Sequence, residues 1–174
     1  WNITADNLIS NKDQLYGPIC FAQYTLHYKK LKLTAQLAPI EEIEGNSVQL
    51  QFKEQGVWKT TTNTQLEHIG RAVNFVVENW NANSDIAYRI LVEIPLKNEI
   101  HQYTYEGTIA QEPLNKESVS AAVFSCNFHY GFPDNDVHEN VAKLNPDIIL
   151  FLGDQFYEGT GGFGAERSGD LDVL

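Results

Sequence analysis

The 174-residue sequence has no methionine, two cysteines and only 12 basic residues against 23 acidic ones. Each scarcity excludes something. Two cysteines, Cys20 and Cys126, cannot form the multi-bridge framework of a small disulfide-stapled fold. A formal charge of −11 leaves no basic footprint for phosphate contacts, which argues against nucleic-acid binding. It also disfavours docking on an anionic membrane surface. No apolar run approaches the roughly 20 residues of a membrane span. With Trp1 leading and no methionine, a mature or trimmed start is expected, and a cleaved signal would leave no trace.

What is present is globular: 43% hydrophobic and 20% charged residues, enough apolar material for a core in one domain or two small ones. The chain reads as two parts with different patterning. Residues 1–115 alternate apolar and polar positions and are rich in Val, Ile, Thr, Tyr and Phe. Strands are expected at 31–40, 47–54, 57–62, 64–69, 72–80, 85–94 and 101–110. Breaks fall at "EGN" (44–46), "EQG" (54–56), "NANSD" (81–85) and "LKNE" (96–99). About seven short strands with regular turns point to an antiparallel β sandwich, with Trp58 and Trp80 as core anchors. The stretch "VWKT…VNFVVENW…IAYRILVEI" resembles a fibronectin type III or related immunoglobulin-like module. Cys20, in "GPICFAQY", reads as a packed free thiol, and "NIT" (2–4) fits a glycosylation sequon.

"QEPLNKES" (111–118) reads as a linker, and from Val119 the pattern changes. "SVSAAVFSC" (118–126) and "DIILFLG" (147–153) are apolar without alternation, as expected of strands buried on both faces. Between them "DVHENVAKL" (136–144) is helical. Asp136 and Glu139 suit a capping box, and Val137, Val141 and Leu144 share one face. "NP" (145–146) stops the helix. Strand, helix, strand is a βαβ unit with parallel strands.

Ligands in open α/β sheets bind beyond the carboxyl ends of the strands. Cys126 ends the first strand, Asp154 follows the second, and Tyr157 lies three residues on. A thiolate, a carboxylate and a phenolate converging there would suit a hard, highly charged cation such as ferric iron. Free pKa values of roughly 8.5 for Cys and 10 for Tyr make their anions dependent on such a cation at neutral pH. Plainer roles stand beside this one: Cys126 as packing, Asp154 as a turn or helix cap, Tyr157 as a half-buried aromatic.

"NPDIILFLGDQFYEG" (145–159) resembles the second signature block of calcineurin-like metallophosphatases, in the Gly-Asp-x-x-Tyr form of purple acid and PhoD-like alkaline phosphatases. "AAVFSCN" (121–127) resembles the first block of the PhoD-like family, where Ser-Cys replaces Asp-x-His. That family also carries an immunoglobulin-like domain before its phosphatase domain. The resemblance implies a β sandwich over 1–115, followed over 119–174 by the truncated start of an α/β metallophosphatase domain. It implies Cys126 as an iron ligand, Asp154 as the catalytic acid bridging iron and calcium or another divalent metal, and Tyr157 as the phenolate on iron. The reaction implied is two-metal hydrolysis of phosphate mono- or diesters, the cations polarising the phosphoryl group and activating water. An exported protein, secreted or periplasmic, is implied as well.

The sequence departs from the family at Asn127, where a Gln often stands, and at Gln155, where an aromatic is common. Neither touches a proposed ligand. Phe128 stands where Asp-x-His would place histidine. The family's later Asn, Asp and His ligands have no counterpart before Leu174, so this chain is expected to be the N-terminal piece of a longer enzyme and inactive alone. The glycine-rich stretch 159–169 lacks P-loop spacing and reads as a flexible loop, with Arg167 solvated. His27, His68 and His101 read as surface or satisfied positions, His138 as helical and away from the strand tips, and His129 as a neighbour of Cys126. The alternative is a fibronectin-like binding or adhesion module without catalysis. A flavodoxin-like nucleotide binder would need a glycine turn after the first strand, which is missing here.

Overall fold

The computed structural model describes residues 17–40, 47–67, 69–80, 83–95, 97, 99–127, 134–155 and 157. The sequon at 2–4, His68, Phe128, His129 and the glycine-rich stretch with Arg167 lie outside the described residues. The chain divides into two compact units, Trp1–Glu112 and Pro113–Leu174.

The first unit consists of antiparallel strands: β1 (Ile19–His27), β2 (Lys30–Leu37), β3 (Ser47–Glu54), β4 (Val57–Gln65), β5 (Ala72–Val77), β6 (Ile86–Pro95) and β7 (Ile100–Ile109). They form a three-stranded sheet, β1-β2-β5, and a four-stranded sheet, β4-β3-β6-β7. Period-two patterning decides which face is buried. In β2, Leu31, Leu33, Ala35 and Leu37 point inward while Lys32 and Thr34 face out. Val73 and Phe75 of β5 join them, and Val48, Leu50, Phe52, Tyr88, Ile90 and Val92 of the other sheet close the same core. Two sheets packed through one apolar layer bury what neither could bury alone.

Two hairpins have two-residue loops in which both residues have positive φ: Tyr28–Lys29 (46° and 58°) and Gln55–Gly56 (50° and 84°). That combination matches the twist of the flanking strands. Gly107 is required for a different reason. It lies opposite Tyr88, and a Cβ there would stand 2.7 Å from the Tyr88 ring. Burial, with Tyr105 and Tyr24 nearby, pushes the Tyr88 hydroxyl up to about 12.

Four expectations need correcting. β1 was not anticipated; Cys20 is the extra residue where its register shifts between Ile19 and Phe21, which breaks the alternation. Cys20 is accordingly exposed on an edge strand and not packed. The strands expected at 57–62 and 64–69 are one strand ending at Gln65, because Ser47–Leu50 continues to pair with it. Trp58 is not a core anchor. It lies on the outer face, its ring 4.8 Å from the Arg89 guanidinium and 5.4 Å from Lys53 Nζ, a cation–π arrangement. Gln51 is buried beneath this cluster and is satisfied by Thr60, Gln49 and Arg89. Trp80 does pack against the core, 5.0 Å from the Phe52 ring.

The second unit contains β8 (Ala121–Phe124), α1 (Asn135–Leu144) and β9 (Ile148–Phe151). β8 and β9 pair in parallel, from Ala121 opposite Ile148 to Phe124 opposite Phe151. The helix starts one residue before Asp136, with Asp134 at the cap position in left-handed conformation and no side-chain cap bond. Asp136 therefore sits in the first turn, where its charge still suits the helix dipole. Asn145, also left-handed, closes the helix through a bond to the Ala142 carbonyl.

The expectation that these strands are buried on both faces is not met. Ile148, Ile149, Leu150 and Phe151 are 44%, 51%, 42% and 53% exposed. An open apolar groove of about 560 Å³ separates β8 from α1, lined by Ala122, Phe124, Val137, Val141 and Leu144 among others. Two strands and one helix offer too few layers to cover both faces of a parallel pair. Among the described residues no helix is long and apolar enough to cross a membrane.

Candidate metal centre

The register of β8 and β9 is fixed at their amino ends. Asp147 accepts from the Ser120 backbone N–H and hydroxyl, both at 3.0 Å, and pairs with Lys116. The Asp147 and Ile148 amides in turn donate to the Ser120 carbonyl at 3.0 and 3.1 Å. The Lys116 bond, followed by the Ser120 amide, holds the Asp147 carboxyl down to about 2. An acid directly before an apolar run was the available sequence signal for this lock.

With their starts pinned in register, the strands end together at Phe124 and Phe151. The chains then turn in step. Leu152 donates to the Phe124 carbonyl at 2.9 Å, Cys126 to the Gly153 carbonyl at 3.4 Å, and Asn127 to the Asp154 carbonyl at 2.8 Å. Cys126 (φ 57°) and Asp154 (φ 51°) both adopt left-handed backbone, flanking Gly153 at φ 108°. A non-glycine residue rarely takes that conformation, and two facing each other re-aim both side chains to one side.

Cys126 Sγ lies 3.8 Å from Asp154 Oδ2, and the Tyr157 hydroxyl donates to that same oxygen at 3.2 Å. The structure thus brings together the thiol, carboxyl and phenol that the sequence places 28 and 3 residues apart. Ser125 Oγ sits 3.4 Å from Cys126 Sγ. All four side chains are solvent-accessible. The hydrogen bond to Cys126, then desolvation and the bond to Asp154, push the Tyr157 phenol up to about 12. Without a cation the phenol keeps its proton and donates it.

The donor set fits a cation. Metal bonds to thiolate and carboxylate run about 2.0–2.3 Å, so two ligands of one ion stand roughly 3–3.5 Å apart. Separations of 3.8 and 3.2 Å need only small side-chain adjustments to meet that span. Among the described residues no three His, Cys, Asp or Glu side chains converge; the third group beside the thiol and the carboxyl is the Tyr157 phenol.

Other candidates are placed as follows. His101 bonds Glu99 Oε1 at 2.7 Å, and His27 packs on Tyr28. His138 was expected away from the strand tips; its ring instead lies 6.1 Å from that of Phe124, the last residue of β8. Gln155 and Asn127, which sequence reasoning noted only as departures from a pattern, bond one another at 3.2 Å. Comparison with protein-family models, curated proteins and solved structures finds no match to this chain.

Proposed function

We propose that this chain is the N-terminal region of a metal-dependent phosphoesterase of PhoD-like type, with an immunoglobulin- or fibronectin III-like sandwich preceding the first βαβ unit of a metallophosphatase domain. The observation that carries the reading is the meeting of Cys126, Asp154 and Tyr157 at the carboxyl ends of two parallel strands. That edge is where α/β sheets bind ligands. The strand orders β1-β2-β5 and β4-β3-β6-β7 support the sandwich assignment: strands 1, 2 and 5 share one sheet and 3, 6 and 7 the other, as in constant-type immunoglobulin domains, while the fourth strand lies beside the third and not with the first sheet.

Cys126 and Tyr157 would hold ferric iron, and Asp154 would bridge it to calcium or another divalent ion. The bound cations would supply Lewis-acid activation of a phosphate mono- or diester. This chain's part is to hold the Asp154 carboxylate oxygen between the Cys126 thiol and the Tyr157 phenol. The apolar faces of β9 and the groove beside α1 call for further strands and helices, which would complete the sheet and bring additional ligands. The proposed location is extracytoplasmic.

X-ray absorption of the iron-loaded chain tests the assignment. One sulfur ligand is expected on iron, lost in Cys126→Ser. A spectrum without sulfur, or one unchanged in that variant, contradicts it.

A further inference from the structure

We propose that Gln155 is a positioning residue that clamps the two strand ends so that Cys126 and Asp154 face one another; the inference rests on the metal reading above. Its side chain reaches both loops at once. Nε2 donates to the Gly153 carbonyl at 2.7 Å and to the Phe124 carbonyl at 3.3 Å, while Oε1 accepts from Asn127 Nδ2 at 3.2 Å. These three bonds enclose the two left-handed residues. Phe124 and Asn127 bracket Cys126 on one strand end; Gly153 and Gln155 bracket Asp154 on the other.

The clamp has a specific task. Left-handed backbone is disfavoured for residues with a Cβ, at Cys126 more than at Asp154, so something must hold both turns. The inter-strand bond from Cys126 N–H to the Gly153 carbonyl is long, at 3.4 Å. The same Gly153 carbonyl receives the much shorter bond from Gln155. The amide thus fixes the carbonyl on which the longest bond of the pairing beyond the strands depends. Asn127 and Gln155 are also half-buried while the three donors are exposed, as expected of groups that hold ligands without being ligands.

Gln155→Met keeps the side chain's length and removes all three bonds. In the metal-free chain, exchange of the Cys126 and Asn127 amides should rise at least about tenfold. Exchange of the Asp147 and Ile148 amides, at the other end of the same strands, should not change and reports that the sheet persists. Ferric iron affinity, measured by competition with a chelator, should fall about 10–100-fold. Asn127→Ala, which removes one bond, should show a smaller change in the same direction. Unchanged iron affinity in Gln155→Met, or unchanged Cys126 and Asn127 exchange, overturns the role of Gln155 while leaving the metal reading intact. A parent chain that binds no ferric iron overturns the metal reading and the positioning role together.

Discussion

Asp154 Oδ2 accepts the Tyr157 hydroxyl at 3.2 Å and lies 3.8 Å from Cys126 Sγ. One carboxylate oxygen therefore stands between a thiol and a phenol. In the absence of a cation, protons hold this arrangement together; a cation would replace them and bind all three as anions.

Removing the central carboxylate should remove the site. Asp154→Ala is expected to abolish tight iron binding, whereas Tyr157→Phe should retain a weaker site through Cys126 and Asp154. Chelator competition on the two variants checks the order. Equal losses would mean that the carboxylate is not central.

The Asp147 lock makes the second unit acid-sensitive. Its carboxyl is depressed from 3.8 to about 2 in the folded chain. The stabilisation is therefore fully present above the unfolded value near 4 and is lost as pH falls through about 2. The protection of the Ile148 amide, its exchange rate relative to the intrinsic rate at each pH, should fall across that window. Asp147→Asn should remove this change in protection. Protection that stays constant across the window in the parent chain contradicts this account.

Gly107→Ala should destabilise the sandwich by about 1–3 kcal/mol, because the added methyl overlaps the buried Tyr88 ring. Urea unfolding followed by Trp fluorescence reads the change. Tyr88→Leu in the same chain should reduce the cost of the glycine change. Additive effects would contradict the contact.

Truncation should separate the buried core from the exposed strand pair. Leu33→Ala, in a fully enclosed position, is expected to cost about 2–5 kcal/mol. Ile149→Ala, half exposed on β9, should cost well under half of that. Comparable losses would mean that β9 is covered in solution.

Period-two alternation makes most of the sandwich legible, most clearly in β2 and β5, while β4 reads as two strands and β3 and β6 carry consecutive buried residues. β1 alternates regularly from Phe21 to His27, but its inward residues Ala22, Tyr24 and Leu26 are only partly buried, and the bulge at Cys20 interrupts the pattern at its start alone. A Trp suits a sandwich core, but the place of Trp58 beside Lys53 and Arg89 depends on cross-strand register, which composition does not carry. The strand-end position of Cys126 and Asp154 was readable from apolar runs ending in polar residues. The amide pair of Asn127 and Gln155 was not, since it exists only once residues 28 apart are brought into register. The apolar runs of β8 and β9 suit strands covered on both faces, whereas Ile148–Phe151 are exposed in the structure.

The central claim is that Cys126, Asp154 and Tyr157 bind one cation together. Titration of the metal-free chain with ferric iron, followed by visible absorption, tests it most directly. We expect saturation at about one equivalent with a phenolate-to-iron charge-transfer band that disappears in Tyr157→Phe. No band in the parent chain, or a band in Tyr157→Phe that still shows tyrosinate vibrations by resonance Raman, would contradict it.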